Sequence, residues 1–161
     1  MKTQVEQPIK MIRTEKTDNR FIRLVSLLDA ELSERDGEDH GFYSQFNSVN
    51  EIQYAVLAIE GQEPIGSGGL KMMNENCIEI KRMYVKASRR GSGIAILILH
   101  ELEAWARELG YTSCRLETGK RQPEAIAFYR KSGYHQIDNY LQYIGVENSI
   151  CFEKSLIQIK K

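Results

Sequence analysis

The chain is 161 residues long, 42% hydrophobic and 27% charged, which suits one domain built on one core over residues 1–161. Its 22 lysines and arginines balance its 22 aspartates and glutamates, so the basic excess of a nucleic-acid binder is missing and no nucleic-acid partner is expected. No apolar run reaches membrane-spanning length and the first residues lack a signal-peptide core, so a cytoplasmic protein without a membrane partner is expected.

Residues 1–7 are polar and read as a loose start. Residues 8–14 form a first strand, with Pro8 where no ladder donor is lost. Thr17 or Asp18 is placed to cap a helix whose apolar face is Phe21, Leu24, Val25, Leu28 and Leu32, ending near Ser33. Residues 34–41 break that period with the carboxylates Glu34, Asp36, Glu38 and Asp39, and Phe42, Tyr43 and Phe46 follow on a second short helix. Residues 52–60 and 65–73 make a hairpin whose second arm is thinned by Gly66, Gly68 and Gly69. Residues 77–85 read as a strand, and Ile94, Leu97, Ile98, Leu102, Trp105 and Leu109 recur at helical steps. Residues 112–117 are a strand, Gln122 or Pro123 opens a helix to Ser132, and residues 133–143 and 149–156 are the last strands. Strands first, then helices alternating with strands, predict a mixed sheet with helices on both faces. Cys77, Cys114 and Cys151 are odd in number and far apart, as buried free thiols of a reducing compartment would be. His40, His100 and His135 have no metal-ligand spacing, and no metal is expected.

The most informative stretch is Ser88-Arg89-Arg90-Gly91-Ser92-Gly93-Ile94-Ala95. It joins a strand to a helix through two glycines and presents two arginines. The first N–H groups of a helix lack intrahelical partners and carry the positive end of its dipole, so the turn is a cradle for an anion, most simply a phosphate. A P-loop would need Lys and then Ser or Thr after its last glycine, where Ile94 and Ala95 stand. A dinucleotide fingerprint would need a third glycine. The remaining pattern is Arg-x-x-Gly-x-Ala, met by Arg90, Gly93 and Ala95.

That pattern resembles the coenzyme A pyrophosphate loop of the GNAT superfamily of N-acetyltransferases. Leu116-Glu117-Thr118 resembles the family's next strand, and Glu124-Ala125-Ile126-Ala127-Phe128-Tyr129-Arg130-Lys131-Ser132-Gly133-Tyr134 resembles the helix and strand after it. The clear resemblance covers residues 79–134. It implies an α/β (α+β) acyl-CoA N-acyltransferase fold, with a mixed, mostly antiparallel sheet of six to seven strands. It implies acetyl-CoA as co-substrate, transferring its acetyl group to a primary amine by direct attack in a ternary complex, with a monomer or homodimer as the working unit. A catalytically silent acyl-CoA-binding module on the same fold, or an acetyltransferase acting on protein amines, is the alternative.

The resemblance also assigns residues. A gap between the strands at residues 79–85 and 112–117 would admit the acyl-CoA, with Met83, Tyr84 and Val85 pairing through their backbone with the pantetheine. Arg89 and Arg90, with the amides of Gly91, Ser92, Gly93, Ile94 and Ala95, would hold the pyrophosphate, and Lys86, Lys120 or Arg121 the ribose phosphate. Gln122 stands where the family often has Asn. Glu79, expected on the same strand face as Met83, matches the family's general base. A carboxyl at about 4.3 facing an ammonium at about 10.4 is about 8 kcal/mol uphill, so burial must narrow the difference. Tyr129 matches the tyrosine beside the sulfur, which protonates the leaving thiolate or orients it. For the acceptor, the carboxylates at 34–39 with Phe42, Tyr43, Phe46, Tyr140 and Tyr143 suit a small cationic amine, whereas Lys81 and Arg82 suit an acceptor carrying an acid.

Overall fold

The computed structural model describes residues 7–44 and 51–157; residues 1–6 and Phe46 lie outside them, as do the side chains of Asp36 and Asp39. The elements are β1 (Ile9–Thr14), α1 (Asn19–Asp36), α2 (His40–Ser44), β2 (Tyr54–Glu60), β3 (Glu63–Met72), β4 (Cys77–Val85), α3 (Ile94–Glu108), β5 (Ser113–Gly119), α4 (Pro123–Lys131), β6 (His135–Ile137) and β7 (Ser149–Ser155). The strands form one seven-stranded sheet in the order β1-β2-β3-β4-β5-β7-β6. Neighbours are antiparallel except β4 and β5, which run parallel. The expected mixed, mostly antiparallel sheet with helices on both faces is what forms.

Both faces are covered, and β2 shows how. Val56 and Ala58 pack with Ile98, Leu99 and Leu102 of α3, while Ala55, Leu57 and Ile59 pack with Phe21, Leu24 and Val25 of α1. Period-two alternation therefore buries every position from Ala55 to Ile59, which is why the strand reads as a continuous apolar run. The glycines of β3 let α3 approach. A Cβ on Gly66 would stand 2.8 Å from Ile98 Cδ1, and one on Gly68 would stand 2.7 Å from Leu102 Cδ1. Asp18 caps α1, its carboxylate accepting from the Arg20 backbone N–H at 2.9 Å.

Two expectations are corrected. α1 continues through Glu34, Arg35 and Asp36 and stops at Gly37, whose φ is 54°. These residues have no apolar face to show in the sequence, but they are tolerated on a solvated helix end. The expected strand at 133–143 shrinks to His135–Ile137. Asn139 donates its amide to the carbonyls of Tyr143, Val146 and Ser149 at 3.0, 3.1 and 3.1 Å, and Leu141 takes a positive φ of 48°, so the chain folds into a compact turn. That turn carries Tyr140 and Tyr143 inward beside Tyr43 and Cys151. Cys77, Cys114 and Cys151 are free and buried, and burial pushes the thiols of Cys114 and Cys151 up to about 12 and 11.

Candidate active site

Between β4 and α3 the chain makes a 3-10 turn, Ala87–Arg89, and then enters the helix through Gly93 as N-cap. Gly91 and Gly93 have φ of 83° and 81°, where a Cβ is strained, and an added Cβ at either would meet nothing within 4 Å. The glycines are thus required by dihedral, and the space above them is open. Arg89 pairs with Glu60, while its buried Nε has no hydrogen-bond partner among the described residues. Arg90 donates from Nε to the Val85 carbonyl at 2.9 Å, meets Glu31 of α1 at 2.8 Å and lies over the Tyr84 ring at 5.5 Å. These residues line a groove of about 790 Å³, which also takes in Arg35, His100 and Lys131. An unsatisfied buried guanidinium N–H, open glycines and a helix N-terminus fit an anionic ligand.

The groove leads to a break in the sheet. β4 and β5 pair only at Cys77–Ser113, Ile78–Cys114 and Glu79–Arg115. Beyond that the strands part around a cavity of about 130 Å³, bounded by α1, α2 and α4 as well as the two strands. Met83, Gln122, Ala125 and Tyr129 border cavity and groove alike.

Glu79 and Glu117 border the cavity with Lys81 and Arg82. Glu79 is 2% exposed and accepts a 2.6 Å hydrogen bond from the Tyr140 hydroxyl; Lys81 Nζ is 3.9 Å from its other oxygen. Burial is the main cause that lowers the Lys81 ammonium below its ordinary value, with Glu79 opposing. Glu117 accepts from Ser149 Oγ at 2.6 Å, so the Tyr43 hydroxyl, 2.9 Å from the same oxygen, is the donor of that pair.

A β-bulge overturns the expectation that Glu79 and Met83 share a face. Two steps along β3, Ser67 to Gly69, face three along β4, Tyr84 to Lys81, and Arg82 has a φ of 60°. The extra residue reverses the alternation: Ile78 and Ile80 join the α3-side core, and after Arg82 it is Met83 and Val85 that do so. Glu79 and Tyr129 therefore approach the cavity from opposite sides of the sheet. Tyr129 is 8% exposed, its ring 5.8 Å from that of Tyr134 and 6.4 Å from that of Phe152, and burial raises its phenol well above the ordinary tyrosine value. As an acid it is weaker than a free phenol.

Other expected contacts are not brought in. Lys86 bonds Glu63 at 3.1 Å, and neither it nor Lys120 nor Arg121 borders the groove. Glu34 and Glu38 are exposed and border neither space. Among the described residues no helix is long and apolar enough to cross a membrane, and no cluster of three potential metal ligands occurs.

A splayed parallel strand pair thus stands beside a glycine-capped helix. The model of the acetyltransferase (GNAT) family matches residues 21–134. The chain belongs to the GNAT family. The uncharacterised N-acetyltransferase YjgM of Escherichia coli K12 is 35% identical over 95 residues, which is 57% of this chain and 56% of that protein. The chain thus spans little more than half the length of that relative. The IAA acetyltransferase of Azospirillum brasilense is 33% identical over 107 residues, 66% of this chain and 69% of that protein. A Klebsiella pneumoniae structure provisionally described as an acyl-CoA N-acyltransferase superposes with a TM-score of 0.78 at 29% identity, covering 92% of this chain and 98% of that one.

In this GNAT chain several site-bordering residues escape sequence reasoning. Glu31 and Arg35 lie on α1 among ordinary surface charges, and only the fold reveals that Glu31 pairs with Arg90 and Arg35 with Glu124 of α4. Glu117 stands inside a matched motif, and its partner Ser149 comes from the far end of the chain. The bulge did leave a trace: Lys81 and Arg82 are consecutive charges inside an otherwise buried strand.

Proposed function

We propose that this protein is an N-acetyltransferase that moves the acetyl group of acetyl-CoA to the primary amine of a small molecule. The observation that carries the proposal is the end of β4–β5 pairing at Glu79–Arg115, which opens the sheet next to the anion cradle. Arg89, Arg90 and the amides of Gly91, Ser92, Gly93, Ile94 and Ala95 take the pyrophosphate, supported by the unpartnered Arg89 Nε. The backbone of Met83, Tyr84 and Val85 offers the freed edge of β4 to the pantetheine amides, and Gln122 and Tyr129 border the passage to the cavity.

The amine attacks the thioester carbonyl carbon, the C–S bond breaks, and the products are an acetamide and coenzyme A. An ammonium must first give up one proton, which Glu79 accepts directly or through a water. After attack the nitrogen sheds its second proton as the amide forms, which balances the one proton the departing thiolate takes up, and Tyr129 lies on that side of the cavity. Because burial weakens the Tyr129 phenol as an acid, its larger contribution is to orient the sulfur. Main-chain N–H groups at the bulge near Met83 and Tyr84 stabilise the oxyanion.

Thiol release from acetyl-CoA across an amine library tests the reading, together with the melting shift caused by acetyl-CoA, NAD and ATP. The expected result is a shift specific to acetyl-CoA and amine-dependent thiol release. Equal shifts with all three nucleotides would overturn the coenzyme A assignment, and a specific shift without turnover of any amine would leave a binding module.

A further inference from the structure

We infer that the acceptor carries a carboxylate beside its amine, and that Arg82 is the residue that receives it. The inference rests on the acetyltransferase reading and concerns the acceptor side of the same site.

Arg82 is unusual in three independent respects. Its side chain is 2% exposed, although it carries a permanent charge. Its backbone sits at φ 60°, a region that residues with a Cβ avoid and that tends to persist where a site requires it. Its Nε is buried without a hydrogen-bond partner among the described residues. Its Nη2 is tied to α1, where it meets Asp29 and lies 3.4 Å from the Val25 carbonyl. The plane is held from one side and leaves a donor over. A guanidinium presents its N–H groups as a fork, and an unfilled donor on a fixed fork matches a carboxylate oxygen.

The surroundings agree in charge. Arg82 borders the cavity of about 130 Å³, which Glu79 and Glu117 border as well. A cation without a carboxylate would leave Arg82 unfilled, and an anion without an ammonium would face the two carboxylates. A compact molecule with both charges, of the amino-acid type, satisfies each end: its ammonium turns to Glu79 and Glu117, its carboxylate to Arg82. The exposed carboxylates Glu34 and Glu38 do not border this space and take no part in the choice.

The test is a panel of matched acceptors with the wild-type enzyme: free amino acids, their carboxamides, and the corresponding amines lacking the carboxylate, each scored by kcat/KM in thiol release. The free amino acids should exceed their uncharged counterparts by about ten- to a hundredfold, the range of a hydrogen bond to a charged group. In Arg82→Gln that ratio should collapse toward one, whatever common loss the substitution causes, while the acetyl-CoA melting shift is retained. The wild-type panel decides the carboxylate preference even if the variant fails to fold, and a folded Arg82→Gln that keeps the wild-type ratio would remove Arg82 as the receiver. Carboxamides or plain amines used as well as or better than the acids would overturn the inference while leaving the acetyltransferase reading intact. Absence of amine-dependent thiol release from any acceptor would overturn both.

Discussion

Replacing Gly68 by alanine puts a methyl group where three atoms already stand. Its Cβ would lie 2.7 Å from Leu102 Cδ1, 2.9 Å from Met83 Sδ and 3.0 Å from Ile98 Cγ2. Unstrained carbon contacts are about 3.5–4.0 Å, so the neighbours must retreat by about 0.5–1.3 Å. All three are parts of side chains, so the cost is that of an overpacked core, about 1–3 kcal/mol. At about 2–4 °C per kcal/mol for a chain of this size, Tm should fall by about 2–12 °C. Gly66→Ala should cost at least as much, because its Cβ would also lie 2.9 Å from the Tyr84 carbonyl oxygen, which is backbone and cannot swing away. Gly41→Ala, with nothing within 4 Å and no positive φ, is the control and should stay within about 0.5 kcal/mol of the parent. Met83 borders the groove and cavity, so Gly68→Ala should raise KM for acetyl-CoA as well as lower Tm. Thermal unfolding by circular dichroism and thiol-release kinetics read both effects. If Gly68→Ala melts with the parent, α3 does not rest on β3 as described and the reasoning fails.

Glu79→Gln should lower kcat near neutral pH by about 10²–10⁴-fold with acetyl-CoA binding preserved, and full retention of activity would remove Glu79 from the role of base. Tyr129→Phe should cost less turnover than Glu79→Gln, and a larger loss would reverse the ranking in steady-state kinetics. Glu31→Gln should lower KM for acetyl-CoA by up to about fivefold: the Arg90 pair is partly solvated, so freeing the guanidinium recovers only about 0.2–1 kcal/mol, and an unchanged or higher KM would exclude the competition. Burial raises Tyr129, Tyr134, Tyr140, Tyr143 and the three cysteines above their unfolded values, so the native state keeps protons that the unfolded chain gives up. The stability they confer is complete below about pH 8.5, where unfolded thiols begin to ionise, and should fall steeply above about pH 10 as unfolded tyrosines follow. Urea midpoints measured from pH 7 to pH 11 check this, and a flat profile would contradict the burial.

What the sequence disclosed were features in which local chemistry and global fold agree. The strand Cys77–Val85, the Asp18 cap and the helix after Gly93 were legible because each is written in consecutive residues. The bulge was not, because it depends on how β4 aligns with β3, and a single strand pattern shows only its traces: the adjacent charges Lys81 and Arg82 and the parity change from Ile78 and Ile80 to Met83 and Val85. The strand expected at 133–143 is too long because that stretch is rich in strand formers, while the turn is set by Asn139 reaching three carbonyls that follow it. On the site, the cradle could be found as a motif. The Tyr140–Glu79 and Ser149–Glu117 contacts join residues 61 and 32 positions apart and needed the fold.

The three-pair join between β4 and β5 also bears on how the molecule is assembled. β1 to β4 follow one another along the chain, each hydrogen-bonded to the next, with α3 laid over them; β5, β7 and β6 form a second, separately local group. The β2–β3 and β3–β4 turns close short loops, whereas the β1–β2, β4–β5 and β5–β7 pairings each close a long one. The two groups share one core, in which Cys114, Leu116, Tyr129 and Phe152 pack with Ile98, Leu99 and Leu102. A cut at the Gly110 turn, between α3 and β5, would sever the backbone without removing a single strand pairing from either group, so the two fragments should reassociate across that join.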